Sequence, residues 1–346
     1  MKLLRRTCTI AILFILFGFQ SHAQMGFDGN LTVSVSNTVV NKYTALSADA
    51  SVGDSQIAVS EVSELGSLSA GDLVLIIQMQ GALIDNSNSA NYGNITSYNG
   101  AGNHEMIYVD RIADNTGIAD TIYFCSTLTY PFLTSGHTQV VLVPQYQNLA
   151  VLSGGSITAP SWNGITGGIV AVSVSGTCTL NGDIDVSGKG FRGGVRDNNT
   201  SGTGTIVSDF ISNSSFIGAE KGESIVGYHA EYDALGGRYG RGAPANVGGG
   251  GLAHNSGGGG GANASNGNTW NGQGVMSTAE PSWSQAWALD PGFAIAGNQL
   301  SNSSGGGRAG YSYGSNNLNA LTTPPGNSGW GGNSRQPNGG WGGRPL

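Results

Sequence analysis

Charge is what this chain has least of: Asp, Glu, Lys and Arg together make up 10% of it, against about 25% in ordinary soluble domains. Solubility must therefore rest on Asn, Ser, Thr and backbone amides. Long apolar stretches are equally scarce. After residues 10–19 no apolar run of that length follows, and a bilayer-spanning helix needs about 20 residues. Cysteine is limited to Cys8, Cys125 and Cys178. No His-Glu-x-x-His sequence occurs, and no glycine run leads into the Lys-Ser/Thr of a phosphate loop. These absences argue against zinc-protease and nucleotide-dependent chemistry, and no cofactor is expected.

The start of the chain is informative in the opposite way. Lys2, Arg5 and Arg6 precede the apolar residues 10–19, and Ser21-His22-Ala23 follows them. That order is the pattern of a secretory signal peptide, residues 1–23, with cleavage expected after Ala23. Cys8 leaves with the peptide, and no transmembrane segment is expected afterwards. Cleavage removes three of the 14 basic residues and none of the 21 acidic ones, so the formal charge moves from −7 to −10. Nucleic acid is not an expected partner of so acidic a chain. Cys125 and Cys178 would meet an oxidising compartment, and their spacing leaves open whether they bridge or whether Cys178 is a buried free thiol.

Glycine divides the chain, with 12 of its 59 residues before position 151 and 47 after. From residue 27 to 150 strand signals recur without helical periodicity: Leu31, Val33 and Val35, then residues 56–59, 72–79, 105–109, 121–124 and 139–146. Residues 73–77 and 140–143 are apolar at every position or nearly so, as central strands covered on both faces are. The expected module over 24–150 is an antiparallel barrel or sandwich. Residues 151–187 hold the sharpest pattern, because Val170, Val172, Val174, Gly176, Cys178, Leu180, Gly182, Ile184 and Val186 take every second position. Such alternation predicts a buried even row and an exposed odd row, in rungs of a β-helix or β-solenoid.

From 188 to 346 glycine dominates, and 30 of the 110 residues from 237 onward are Gly. A flexible linker would rarely carry five of the chain's six tryptophans, Trp270, Trp283, Trp287, Trp330 and Trp341. An ordered, polyglycine-II-like packing of extended segments is expected instead, with residues 248–251 and 257–261 adjacent. The fold class is thus all-β throughout.

Three phrases are similar to those of glycine-rich, adhesin-like exported surface proteins of Bacteroidetes-type bacteria, many of them type IX secretion substrates. They are residues 70–82 (AGDLVLIIQMQGA), 162–168 (WNGITGG) and 188–194 (GKGFRGG). The resemblance covers roughly residues 45–346 and implies a β-helical surface domain with no assigned catalytic residue. Such proteins usually end in a β-sandwich sorting domain. The ending Trp341-Gly342-Gly343-Arg344-Pro345-Leu346 does not resemble one, and a fragment or a short relative is expected.

Candidate chemistry is thin. His229, Glu231 and Asp233 alternate, so on a strand they would share one face as a metal site requires; a solvated turn is the bland reading. Asp183 and Asp185 likewise share a strand face and are candidates for Ca²⁺ or for paired carboxylates. Trp270, Trp330, Tyr311 and Tyr313 stand near asparagines and suit stacking on sugar rings. The expectation is a non-enzymatic secreted or outer-surface protein, structural or adhesin-like, whose partners are surface glycans or other surface proteins. A polysaccharide-lyase-like β-helix enzyme and a carbohydrate-binding module are the competing readings.

Overall fold

The computed structural model describes residues 26–89, 92–114, 120–195, 210–215, 219–240 and 242–250. The expected signal peptide lies outside them. The chain opens with β1 (Asn30–Val33) and β2 (Thr38–Val39) and passes into β3 (Lys42–Ala45), β4 (Gln56–Val59) and β5 (Leu73–Gln78). A small hairpin, β6 (Leu83–Ile84) and β7 (Ile95–Ser97), precedes β8 (His104–Ala113), β9 (Asp120–Phe124) and β10 (Thr138–Val143). Six of these form one antiparallel sheet in the order β3-β10-β5-β8-β9-β4. The sheet curls until its edges meet. Leu46 pairs with Val59, Ser47 N donates to Ala58 O at 2.9 Å and Ser60 N to Ala45 O at 2.9 Å.

Alternation explains what this barrel encloses. Ile57, Val59, Val74, Ile76, Ile107, Val109, Ile122 and Val140 point inward and are buried together, each contributing about 1.5–3 kcal/mol of burial. The central strands β5 and β10 bury their outer faces as well. Leu73, Leu75, Val141 and Val143 pack against Ile169 and Ala171, which is why residues 73–77 and 140–143 read as apolar on both faces.

What covers that outer face is a parallel β-helix. β11 (Gln145–Tyr146), β12 (Asn148–Val151) and β13 (Ser156–Thr158) make one coil; β14 (Ser173–Val174), β15 (Cys178–Leu180) and β16 (Asp183–Ile184) make the next. β1 and β2 form the coil before them, because β1 pairs in parallel with β12 and β2 with β13. The barrel is therefore inserted between the first and second coils, and Leu31 and Val33 belong to the helix rather than to the barrel. Side-chain amides fasten the two parts. Gln139 exchanges two hydrogen bonds with Gly167, at 2.9 and 3.1 Å, and Asn41 bonds the N–H and the C=O of Ala171 at 3.0 and 2.6 Å.

The predicted even row faces inward, but its burial needs correction. Leu149 stacks on Leu31 and carries Cys178; Val151 stacks on Val33 and carries Leu180. Leu149, Val151 and Ile157 are 1%, 0% and 0% exposed, whereas Leu180, Ile184 and Val186 are 51%, 42% and 40% exposed. Parity sets direction only. Burial requires a coil on each side, and among the described residues none stacks on the third. Cys178 is consequently exposed rather than buried; Cys125 is exposed too, and both thiols are free.

Beyond the third coil the chain packs as extended glycine-rich segments around residues 219–224. Glu220 N and Glu223 N donate to Val195 O and Arg192 O at 3.1 and 2.8 Å, Lys221 N to Arg238 O at 2.9 Å, and Gly222 N to Gly248 O at 3.4 Å. Glu220 and Glu223, three residues apart, address the same neighbouring segment, as in a helix with three residues per turn. The approach is close enough to demand glycine: a Cβ on Gly194 would sit 2.2 Å from Glu220 O, and one on Gly250 1.8 Å from Ala219 O. Residues 257–261, expected beside 248–251, lie outside the described residues.

Candidate functional site

The extended segment 219–224 carries charge into this packing, and Glu223 is its centre. The Glu223 side chain has no exposed surface. Its Oε2 accepts Arg192 Nε and Arg192 N, both at 2.8 Å, while Oε1 accepts Arg192 Nη2 at 2.9 Å, Trp162 Nε1 at 2.8 Å and Gln80 Nε2 at 3.1 Å. Five donors thus converge on one carboxylate, the arrangement in which burying a charge is tolerated. Hydrogen bonding to Glu223 raises the guanidinium of Arg192 above its ordinary range. The five donors belong to three residues from separate parts of the chain: Gln80 from the loop after β5, Trp162 from the connector between β13 and β14, and Arg192 from the segment leaving the third coil.

Around this centre lies a ring of secondary contacts. The Arg192 guanidinium sits 4.4 Å over the Tyr228 ring, whose other neighbour is the stacked imidazole of His229 at 3.8 Å. His229 Nε2 is 2.7 Å from Glu220 Oε2. Lys221, fully buried, donates to the carbonyls of Tyr239 and Gly240, and burial pushes its ammonium well below its usual range. Tyr232 is also fully buried, with its hydroxyl bonded to Gly222 O at 2.7 Å and Ser224 Oγ at 2.9 Å.

The proposed alternation of His229, Glu231 and Asp233 is corrected by the same region. These residues lie on α1 (His229–Ala234), a single helical turn and a half, where a spacing of two sends side chains to different faces. His229 meets Glu220. Glu231 caps the helix by accepting Tyr228 N at 2.9 Å and faces His137 at 3.5 Å, while Asp233 accepts Arg238 Nε at 3.0 Å. Hydrogen bonding by His137 holds the Glu231 carboxyl down at about 2, and the same contact raises His137. Among the described residues no group of three or more His, Cys, Asp or Glu is placed to hold a metal ion.

Asp183 and Asp185 stand exposed at the end of the third coil. Asp185 bonds the hydroxyl and N–H of Ser187, which lower its carboxyl, the N–H contact measuring 2.8 Å. Trp270, Trp330, Tyr311 and Tyr313 lie outside the described residues. So does Gly310-Tyr311-Ser312-Tyr313-Gly314, which spells Gly-x-Ser-x-Gly. Among the described residues Trp162 is the one tryptophan, and it is buried, so its ring is not offered to a sugar.

Residue typing alone missed Gln80, Trp162, Arg192 and Glu223 as one site. A signal was nevertheless there: the three phrases singled out in the sequence, residues 70–82, 162–168 and 188–194, each supply a donor to Glu223.

No family model matches the chain, and no curated protein matches it. Solved structures with some likeness include three phage tailspikes. Tailspike gp61 of Pseudomonas phage phi297 is 15% identical over 38% of this chain and 20% of its own, with a TM-score of 0.21. The gp54 tailspike of Acinetobacter baumannii bacteriophage AP22, in complex with A. baumannii capsular saccharide, is 14% identical over 43% of this chain and 25% of its own, at 0.21. The gp49 tailspike of Pseudomonas phage LKA1 is 15% identical over 38% and 27%, at 0.18. This chain thus spans between 20% and 27% of the length of these tailspikes. Its own parallel ladders establish the β-helix.

Proposed function

We propose that this chain is a non-enzymatic structural module of an exported, cell-surface protein, adhesin-like in use, whose partners are surface glycans or surface proteins. The observation that carries the reading is the convergence of residues 80, 162 and 192 on Glu223. The phrases that resemble exported surface proteins meet in space, and they meet at a carboxylate whose oxygens are all engaged by donors. A general acid or base needs a free lone pair or proton facing substrate. Here the same groups lock the barrel, β-helix and glycine-rich segments together, which is the task of a scaffold. Export through a signal peptide cleaved after Ala23 belongs to this proposal, and a mature N-terminus at Gln24, read by mass spectrometry of the protein secreted by its native host, checks it.

The direct test of function is incubation with a panel of acidic and neutral polysaccharides, with product release and retention of the protein on each glycan both measured. Retention without products is expected. Product formation lost in Asp183→Asn or Asp185→Asn would establish the lyase-like or hydrolase reading instead.

A further inference from the structure

The third coil ends on an apolar surface. Its inward row, Cys178, Leu180, Ile184 and Val186, continues stacks that are sealed one coil earlier, yet all four side chains are exposed. β15 and β16 are edge strands, paired with β12 and β13 on one side. On the other side each presents backbone N–H and C=O groups that can template a further parallel strand.

Spacing decides what fits there. The exposed row runs i, i+2, i+6, i+8, with the turn Asn181-Gly182 in its gap and Gly188 after it. Between residues 251 and 346, four large apolar side chains take that spacing once, at Trp287, Leu289, Phe293 and Ile295. Their gap holds Asp290-Pro291-Gly292, a strong turn former, and Gly297 follows. The offset is 109 residues throughout, from 178 to 287 as from 186 to 295, and it carries Gly188 onto Gly297. Residues 287–295 lie outside the described residues; their sequence supplies the occupant. We propose that the open edge of the third coil is a docking surface for residues 287–295, which add a fourth rung with Trp287 on Cys178, Leu289 on Leu180, Phe293 on Ile184 and Ile295 on Val186.

The fold already makes such a detour once. Ile157 and its stacked partner Ile184 are 27 residues apart, and Leu149 and Cys178 are 29 apart, whereas Leu31 and Leu149 are 118 apart because the barrel intervenes. An offset of 109 repeats the device, with the glycine-rich excursion in the place of the barrel. Reach is sufficient, since residues 251–286 can span roughly 100 Å when extended. Two other occupants fit less well. The described glycine-rich residues leave Leu180 51% exposed, and a second copy of a chain with a formal charge of −7 would be repelled. The fourth rung is peripheral. It opens before the stack unfolds, so breaking it leaves the thermal midpoint of the three coils nearly unchanged.

Alkylation of the native full chain by iodoacetamide, followed by mass spectrometry, tests the docking. Cys178 reports on the edge, and Cys125 on the barrel is the internal standard. Leu289→Asp with Phe293→Asp should speed alkylation of Cys178 about tenfold or more while leaving Cys125 unchanged. Leu180→Asp, on the other side of the contact, should abolish the amide-exchange protection of residues 287–295 that the wild type shows. Equal Cys178 rates in the wild type and the double variant would overturn the assignment, and equally slow rates would point to another occupant. Shielding of Cys178 that disappears on dilution would also overturn it, because that is the mark of a second copy.

Discussion

Glu223 shows why a polar residue in this protein cannot be judged by its type alone. A carboxylate taken fully out of water loses several kcal/mol of hydration, and only well-placed donors restore it. Gln80, Trp162 and Arg192 supply them from three modules, so the cost of breaking the site exceeds the net value of making it. Glu223→Ala would strand those donors, and a loss of about 3–5 kcal/mol in unfolding free energy is expected. Arg192→Ala should cost less, because that side chain is 38% exposed and water can hydrate the vacated side of Glu223. Urea unfolding of both variants checks the order. A Glu223→Ala midpoint indistinguishable from wild type would show that the carboxylate is not the keystone. None of this was legible locally, since Arg192 and Glu223 are separated by 31 residues and no spacing rule connects them.

Elements were more legible than residues where their periodicity is strong. The barrel strands follow the alternating apolar pattern closely, and the predicted strand at 56–59 coincides with β4. The coil strands show the right parity for the same reason. What the pattern lacks is any mark of parallel or antiparallel pairing, so Leu31 and Val33, which read like a barrel strand, lie in the first coil. α1, with six residues, is too short for a helical period to appear. The position of a strand in the stack then decides its energetics. Val151→Asp places a charge between two coils and should abolish cooperative folding, whereas Leu180→Asp, at the uncovered edge, should cost under about 1 kcal/mol. Equal shifts in thermal midpoint would contradict the stacking order. The glycine-rich segments yield a matching test. Gly194→Ala must displace the Glu220 carbonyl, while Gly190→Ala meets nothing within 4 Å; only the former should lower the midpoint of thermal unfolding.

At the scale of the whole molecule, the barrel is an insertion in a β-helix, and its ends behave as those of an insertion should. The strands through which the chain enters and leaves, β3 and β10, are paired neighbours with Lys42 opposite Leu142, so an entire barrel fits between two coils without prying them apart. Its enclosed core draws on residues from Leu46 to Val140 and on none from the β-helix. That independence implies that residues 41–143 fold alone, with one cooperative thermal transition by circular dichroism. The outer face complicates the experiment in a foreseeable way: Leu75 and Val141 would lose their cover from Ile169 and Ala171, and an exposed apolar patch promotes association. Leu75→Thr and Val141→Thr put β-branched, polar side chains on the pleated surface and should render the excised barrel monomeric. In the full chain the same pair would place hydroxyls without assigned partners against Ile169 and Ala171, and should destabilise it. The excised barrel should therefore tolerate the substitutions that the intact protein resists. An excised barrel that lacks a cooperative transition even with both threonines would mean that the coils template the sheet, and that the insertion is not a folding unit.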